Sequence, residues 1–298
     1  MAGSLLRFRK IVVATELGDT GSTAVRYAQA LAHRYDATLI ILHVIDPMLY
    51  AFPDGLPQPL EKIDSARLEL ARMEEEARRD GIQTHSRVES GVICDRILQC
   101  VSDHRGDLLV LGACSSSATE HLALGTVVRR LIGRCPCPIL TVPAEANPEL
   151  FAARGWRNVL AATDFSPCGL QALETAHNLA TGQYTVLHVF KEEAEDAENQ
   201  IQTRIERLRF QAPFNESHTV PVDHIAAVGN AVEFVSGCAR DLHADLLVLG
   251  APPDQLPMQE LPSSTILQII AQAACPVLCI PVCAEGPAQE EHLRTMLV

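Results

Sequence analysis

The heptapeptide Asp107-Leu-Leu-Val-Leu-Gly-Ala113 returns unchanged as Asp245-Leu-Leu-Val-Leu-Gly-Ala251, 138 positions later. A run of that length does not recur by chance, so the chain holds two copies of one unit. The repeat reaches well beyond the run. Lys10-Ile-Val-Val-Ala-Thr-Glu-Leu17 answers Asn158-Val-Leu-Ala-Ala-Thr-Asp-Phe165 at an offset of 148, and His43-Val44 answers His188-Val189 at 145. Gly91 answers Gly229, and Cys137-Pro-Ile-Leu-Thr-Val-Pro143 answers Cys275-Pro-Val-Leu-Cys-Ile-Pro281, both at 138. The falling offset makes the second copy shorter, mainly across the stretch that matches residues 46–80. A period of about 140 residues is a whole domain; solenoid repeats run roughly 20–50.

Length agrees with two compact domains, since 298 residues is about twice the usual single-domain size. A hydrophobic share of 47% can fill two cores. The expected division is 1–145, 155–283 and a C-terminal tail over 284–298. A net charge of −13 argues against nonspecific nucleic-acid binding and against an anionic membrane surface. No apolar run approaches the roughly 20 residues of a spanning helix, and the start is too short in its apolar part for a signal peptide. A cytoplasmic protein is the expectation.

Ten cysteines need an explanation: Cys94, Cys100, Cys114, Cys135, Cys137, Cys168, Cys238, Cys275, Cys279 and Cys283. Without a secretion signal they do not imply a disulfide framework. A zinc site would favour Cys-x-x-Cys pairs, whereas the close pairs here are Cys135-x-Cys137 and Cys279-x-x-x-Cys283. Small buried apolar side chains are the simplest reading.

In copy one, apolar strands are expected at 11–15, 37–45, 83–89, 107–112 and 138–142. Helical spacing lies between them at 20–35, 61–79, 92–102 and from Thr126. The proline-rich stretch 46–60 reads as a loop. Copy two repeats the order, with strands at 159–163, 184–190, 219–226, 245–250 and 277–281. A polar join is expected over 144–155. This alternation, with wholly apolar strands, predicts two tandem doubly wound α/β domains. Each has a five-stranded parallel sheet with helices on both faces.

Ligands of such sheets bind beyond the carboxyl ends of the strands, where the strand order reverses. The candidates in copy one are therefore Ala14, Thr15 and Glu16 after the first strand, Val44 after the second, and the loop opening at Gly112 after the fourth. That loop carries hydroxyls at Ser115 and Ser116. It ends at Gly125-Thr126-Val127, where a helix start offers amides to a phosphate. Gly-Thr ahead of a helix is also ordinary capping, so spacing alone does not decide. His43 and His188 read as structural histidines inside strands. Asp107 and Asp245 read as turn terminators. Glu74-Glu-Glu76 with Arg78-Arg79 reads as a solvated helix face.

With these residues in place the chain resembles the universal stress protein family, as a tandem of two such domains. Copy one fits the family's nucleotide loop, Gly-x2-Gly-x9-Gly-[Ser/Thr], through Gly112, Ser115 and Gly125-Thr126. The Ala-Thr-Asp-Phe-Ser166 segment, both His-Val pairs and the Cys-Pro-starting fifth strands are also similar. The resemblance implies a Rossmann-like fold of the adenine nucleotide alpha hydrolase type and a site for ATP with Mg²⁺. It also implies that the fifth strands pair into an internal pseudo-dimer, with a homodimer of chains beyond that.

Departures weaken the site unequally. Copy one has Glu16 where the family has aspartate, Ser115 for a glycine, and Glu120 near the expected phosphates. Copy two keeps Asp164 after Thr163. Its loop then runs from Gly250 through Pro252, Pro253, Pro257 and Pro262 to Ser263-Ser264, with the closing glycine gone, and prolines supply no amide. The sequence thus points to a stress-response binding module with a nucleotide in copy one and a degenerate copy two. A nucleotide-free scaffold and a weak ATP-hydrolysing enzyme are the alternatives. No nucleophile with its base and no metal-ligating triad is apparent, which weighs against catalysis.

Overall fold

The computed structural model describes residues 8–17, 19–46, 60–113, 124–191, 197–212, 220–252 and 265–281. Copy one contains β1 (Lys10–Ala14), α1 (Asp19–Tyr35), β2 (Thr38–Ile45), α2 (Leu60–Arg79), β3 (Thr84–Ser90), α3 (Ile93–His104), β4 (Leu108–Gly112), α4 (Thr126–Leu131) and β5 (Ile139–Val142). Helix α5 (Pro148–Arg154) follows. Copy two contains β6 (Asn158–Ala162), α6 (Pro167–Leu179), β7 (Gln183–Phe190), α7 (Ala197–Gln211), β8 (Val222–Val228), α8 (Ala231–Asp241), β9 (Leu246–Ala251), α9 (Thr265–Gln272) and β10 (Val277–Pro281).

The two half-sheets are one sheet, in the order β3-β2-β1-β4-β5-β10-β9-β6-β7-β8. Pairing is parallel within each copy and antiparallel only between β5 and β10, with Leu140 opposite Leu278 and Thr141 opposite Val277. The Thr141 hydroxyl donates to the Val277 carbonyl at 3.3 Å. Each fifth strand would otherwise be an open, apolar edge, and joining them removes both edges at once. The four residues of β5 are all buried.

Strand residues alternate between the two faces, and each face carries its own core. Ile11, Val13, Ile41, Val110, Leu140 and Leu278 pack on one side; Val12, Ile40, Leu42, Leu109, Ile139 and Val277 pack on the other. Both cores draw on both copies, so the domains share their interior. This is why the strands read as unbroken apolar runs: helices cover both faces.

The join departs from the polar connection expected over 144–155. It forms α5, started by the Asn147 carboxamide oxygen, which accepts from the Leu150 amide at 2.8 Å, and by Pro148 in the first turn. Phe151 is buried and stacks on Tyr27 at 4.9 Å. Trp156, 1% exposed, lies 4.9 Å from Phe151, and its indole N–H donates to the Tyr27 hydroxyl at 2.8 Å. Burial pushes the Tyr27 phenol far up from its ordinary value, against the hydrogen bond from Trp156. Arg154 pairs with Asp245 of copy two at 3.2 Å, and Glu149 pairs with Arg26 of α1. Two large apolar residues, Leu150 and Phe151, side by side in a short segment give no period from which to read a helix; the aromatic partner on α1 makes it one.

A second departure concerns Glu74. It does not lie on a purely solvated face: its side chain is 17% exposed, pairs with Arg78, and accepts from the Ser86 amide at 3.0 Å and from the Ser86 hydroxyl. It ties α2 to edge strand β3. Glu75 and Glu76 pair along the exposed face, as expected.

Candidate functional site

The strand order reverses between β1 and β4 in copy one and between β6 and β9 in copy two. Ala14 pairs with both Leu42 and Leu111, so Thr15 emerges beside His43 and Gly112. The Thr15 amide donates to the Leu42 carbonyl at 2.9 Å. Its buried hydroxyl accepts from the Leu17 amide at 3.1 Å, which folds the chain back with Leu17 at φ 60°. The His43 Nδ1 lies 2.8 Å from the Thr15 carbonyl. A carbonyl only accepts, so Nδ1 carries the hydrogen and the tautomer is set.

Copy two builds the same turn. The Phe165 amide donates to the Thr163 hydroxyl at 3.0 Å, Phe165 sits at φ 63°, and His188 Nδ1 donates to the Thr163 carbonyl at 2.8 Å. Left-handed backbone at a residue with a bulky side chain costs on the order of 1–2 kcal/mol. That this cost is carried twice, at the carboxyl end of the first strand of each copy, marks both turns as places where backbone shape is specified. Both histidines serve this turn, in keeping with a structural role.

The rest of the copy-one set meets there too. Val44 lies one residue before the end of β2, and Gly112 ends β4. The Ala113 amide donates to the Val142 carbonyl at 2.9 Å, and the Gly125 amide donates back to the Ala113 carbonyl at 3.0 Å, closing the base of the intervening loop. Gly125 caps α4 at φ −57° without a side-chain acceptor, so the amides of Thr126 and Val127 begin the helix with no capping oxygen from the residue before them. Ala14, Thr15, Glu16, Val44, Gly112, Gly125, Thr126 and Val127 thus share one edge of the sheet. Ser115 and Ser116 lie outside the described residues, as do Ser263 and Ser264.

In copy two, Asp164 Oδ1 accepts from the Ser166 amide at 2.9 Å and from its hydroxyl. Ser166 in turn caps α6, accepting from the Gly169 amide at 3.2 Å. The aspartate is therefore held against its own turn. Gly250 serves packing: a Cβ there would meet the Cys168 carbonyl carbon and the Gly169 nitrogen at 2.5 Å.

Phe190, expected at the end of the second strand of copy two, joins a cluster with three residues that sequence reasoning did not single out for this site, Phe165, Arg204 and Arg207. The Phe165 ring lies 4.4 Å from the His188 ring, and His188 stacks on Phe190 at 5.8 Å. From α7, the Arg207 guanidinium sits 4.0 Å above Phe165, and Arg204 sits 5.5 Å from Phe190. Burial, and then the two nearby arginines, hold the His188 imidazole below its ordinary value. The signal was present in the repeat itself, since Phe165 and Phe190 stand where copy one has Leu17 and Ile45.

Asp107 and Asp245 belong to the opposite edge. Asp107 accepts from the Arg9 amide at 2.7 Å and the Lys10 amide at 3.1 Å, and Asp245 accepts from the Arg157 and Asn158 amides at 3.0 and 2.9 Å. They clamp the start of each fourth strand to the start of the first. Among the described residues no three His, Cys, Asp or Glu side chains converge on a metal-sized site. No helix among them is long and apolar enough to cross a membrane.

Two doubly wound units, each with a built turn at its switch point and joined through their fifth strands, define a tandem doubly wound α/β protein. The sequence model of the Universal stress protein family matches residues 7–143 and again residues 155–281, and the chain belongs to that family. A universal stress protein of Methanocaldococcus jannaschii is 25% identical over 139 residues, 45% of this chain and 82% of its own length. One from Thermus aquaticus is 27% identical over 144 residues, 45% of this chain and 98% of its own. A universal stress protein from Archaeoglobus fulgidus superposes over 93% of this chain and 99% of its own, with a TM-score of 0.72 at 17% identity. A putative one from Pseudomonas aeruginosa covers 97% of each chain with a TM-score of 0.63 at 16% identity. These structures have the fold of the whole tandem.

Proposed function

We propose that copy one binds an adenine nucleotide, ATP with its Mg²⁺, and that the protein is a cytoplasmic stress-response regulator rather than an enzyme. The observation that carries this reading is the convergence of Thr15, Glu16, Val44, Gly112 and Gly125 at one switch point, the place where such sheets take their ligands. Glu16 and Val44 would face the base and ribose end. Gly112, Gly125, Thr126 and Val127 would face the phosphates. No metal-sized carboxylate cluster lies among the described residues, so Mg²⁺ would ride on the phosphates, as it commonly does. Copy two takes a structural role in this reading, which the contacts of Phe165 and Phe190 with His188, Arg204 and Arg207 at its switch point support.

Titration calorimetry with ATP and Mg²⁺ on the wild type and on Gly125→Glu tests it. Saturable binding at about one site per chain, lost in the variant by charge repulsion and blocked approach, is the expected result. No heat from either protein would leave a nucleotide-free scaffold. Release of inorganic phosphate above the uncatalysed rate would replace the regulator with a hydrolase.

A further inference from the structure

Cys135 and Cys137 bracket Pro136 between α4 and β5. Their sulfurs lie 3.6 Å apart, in hydrogen-bond contact. Both side chains are buried, yet the residues around them, Arg134 and Pro136, are exposed, so the pair sits just beneath the surface. We propose that Cys135 and Cys137 are a peroxide-responsive dithiol that closes to an intrachain disulfide.

The electrostatics supports a division of labour. The hydrogen bond between the two sulfurs draws the Cys135 thiol below its ordinary value, against burial. The same bond, then burial and the negative field of Cys135 and Asp107, drives Cys137 far up. Cys135 is the nucleophile and Cys137 the resolving thiol. The Cys135 thiolate attacks one oxygen of hydrogen peroxide. The O–O bond breaks, a sulfenic acid forms, and the leaving hydroxide takes a proton to become water. The Cys137 sulfur, losing its proton, then attacks the sulfenic sulfur. An S–S bond forms, the S–O bond breaks, and a second water leaves. Two thiols are oxidised by two electrons and one peroxide is reduced.

Copy two provides an internal control. Cys275 matches Cys137, but Ala273 replaces Cys135. Burial pushes Cys275 and Cys279 up to about 12, and Cys100 to about 11. No second sulfur lies in hydrogen-bond contact with any of those three thiols among the described residues, and all three are buried. A ring closed across a single residue gains little from loop entropy and is easily reduced, which suits a reversible switch.

The test is exposure of the full chain to a modest excess of hydrogen peroxide, then alkylation under denaturing conditions and tryptic digestion. Residues 135–154 fall in one peptide, so the disulfide is read directly. The expected result is loss of both alkyl groups from that peptide in most chains, with the peptide lighter by two hydrogens and restored by dithiothreitol. Cys100, Cys275 and Cys279 stay alkylated. In Cys137→Ser, Cys135 is expected to be trapped by dimedone as the sulfenic acid; the wild-type result stands alone if that variant does not fold. Both thiols of the pair remaining alkylated would overturn the proposal. So would a bond from either to another cysteine, or irreversible over-oxidation.

Discussion

The two switch points begin from the same turn and end as different surfaces. In both, a buried threonine hydroxyl fixes a left-handed residue and a histidine locks the threonine carbonyl. In copy one the residues around that frame are Leu17 and Ile45. In copy two they are Phe165 and Phe190, stacked on His188 and roofed by Arg204 and Arg207. Leu70 and Leu208 are buried at matching places in α2 and α7, so the two arginines stand where copy one has Ala66 and Glu69. The same strained backbone thus carries different side-chain surroundings in the two copies. At this turn the two copies share the backbone and differ in the side chains around it.

The largest effect is expected at Gly250. Gly250→Ala places a methyl against the backbone of Cys168 and Gly169, which cannot rotate away. A loss of about 3 kcal/mol is expected, read from urea unfolding. Wild-type stability in that variant would mean that α6 does not press on β9.

Phe165→Ala should cost about 2 kcal/mol by removing the ring that spans His188 and Arg207. Phe165→Gly should cost less by about 1 kcal/mol, although it removes one carbon more, because glycine relieves the positive φ. If alanine proves the milder change, the turn is not strained as described.

Arg207→Glu gives copy two the residue that copy one has there. The cation–π contact is lost at about 1 kcal/mol, and His188 is freed from one of the charges that depress it. The imidazole should titrate at higher pH by NMR; an unmoved titration would place Arg207 too far away to matter.

The smallest effect is in pH. His188 is depressed below 6.5 in the folded chain, so the unfolded chain takes up its proton first as pH falls. The stability it lends is present above about 6.5 and is lost below it, until the folded imidazole also protonates. Thermal midpoints at pH 7.5 and 5.5 should differ less in His188→Gln than in wild type.

Much of the fold could be read from the repeat, because an apolar run between turn residues needs no partner to be recognised. The positions Thr15 and Gly112 could be read for the same reason, since they follow from where strands end, and Gly125 from where a helix begins. The helical join, the seat of Glu74 and the aromatic–arginine contacts of copy two could not. Phe151 needs Tyr27, Glu74 needs Ser86, and Phe165 needs Arg207, and each partner is at least twelve positions distant.

The sequence by itself determined that there are two copies, that each alternates strand with helix, and that the glycine-framed loop survives only in the first. These are local properties: periodicity, composition and the presence or absence of an amide. Only the tertiary structure decided that Cys135 and Cys137 share a hydrogen bond and that Arg204 and Arg207 lie over the aromatic rings of Phe190 and Phe165. Those facts depend on side-chain direction and on distances across the fold, which no spacing along the chain encodes.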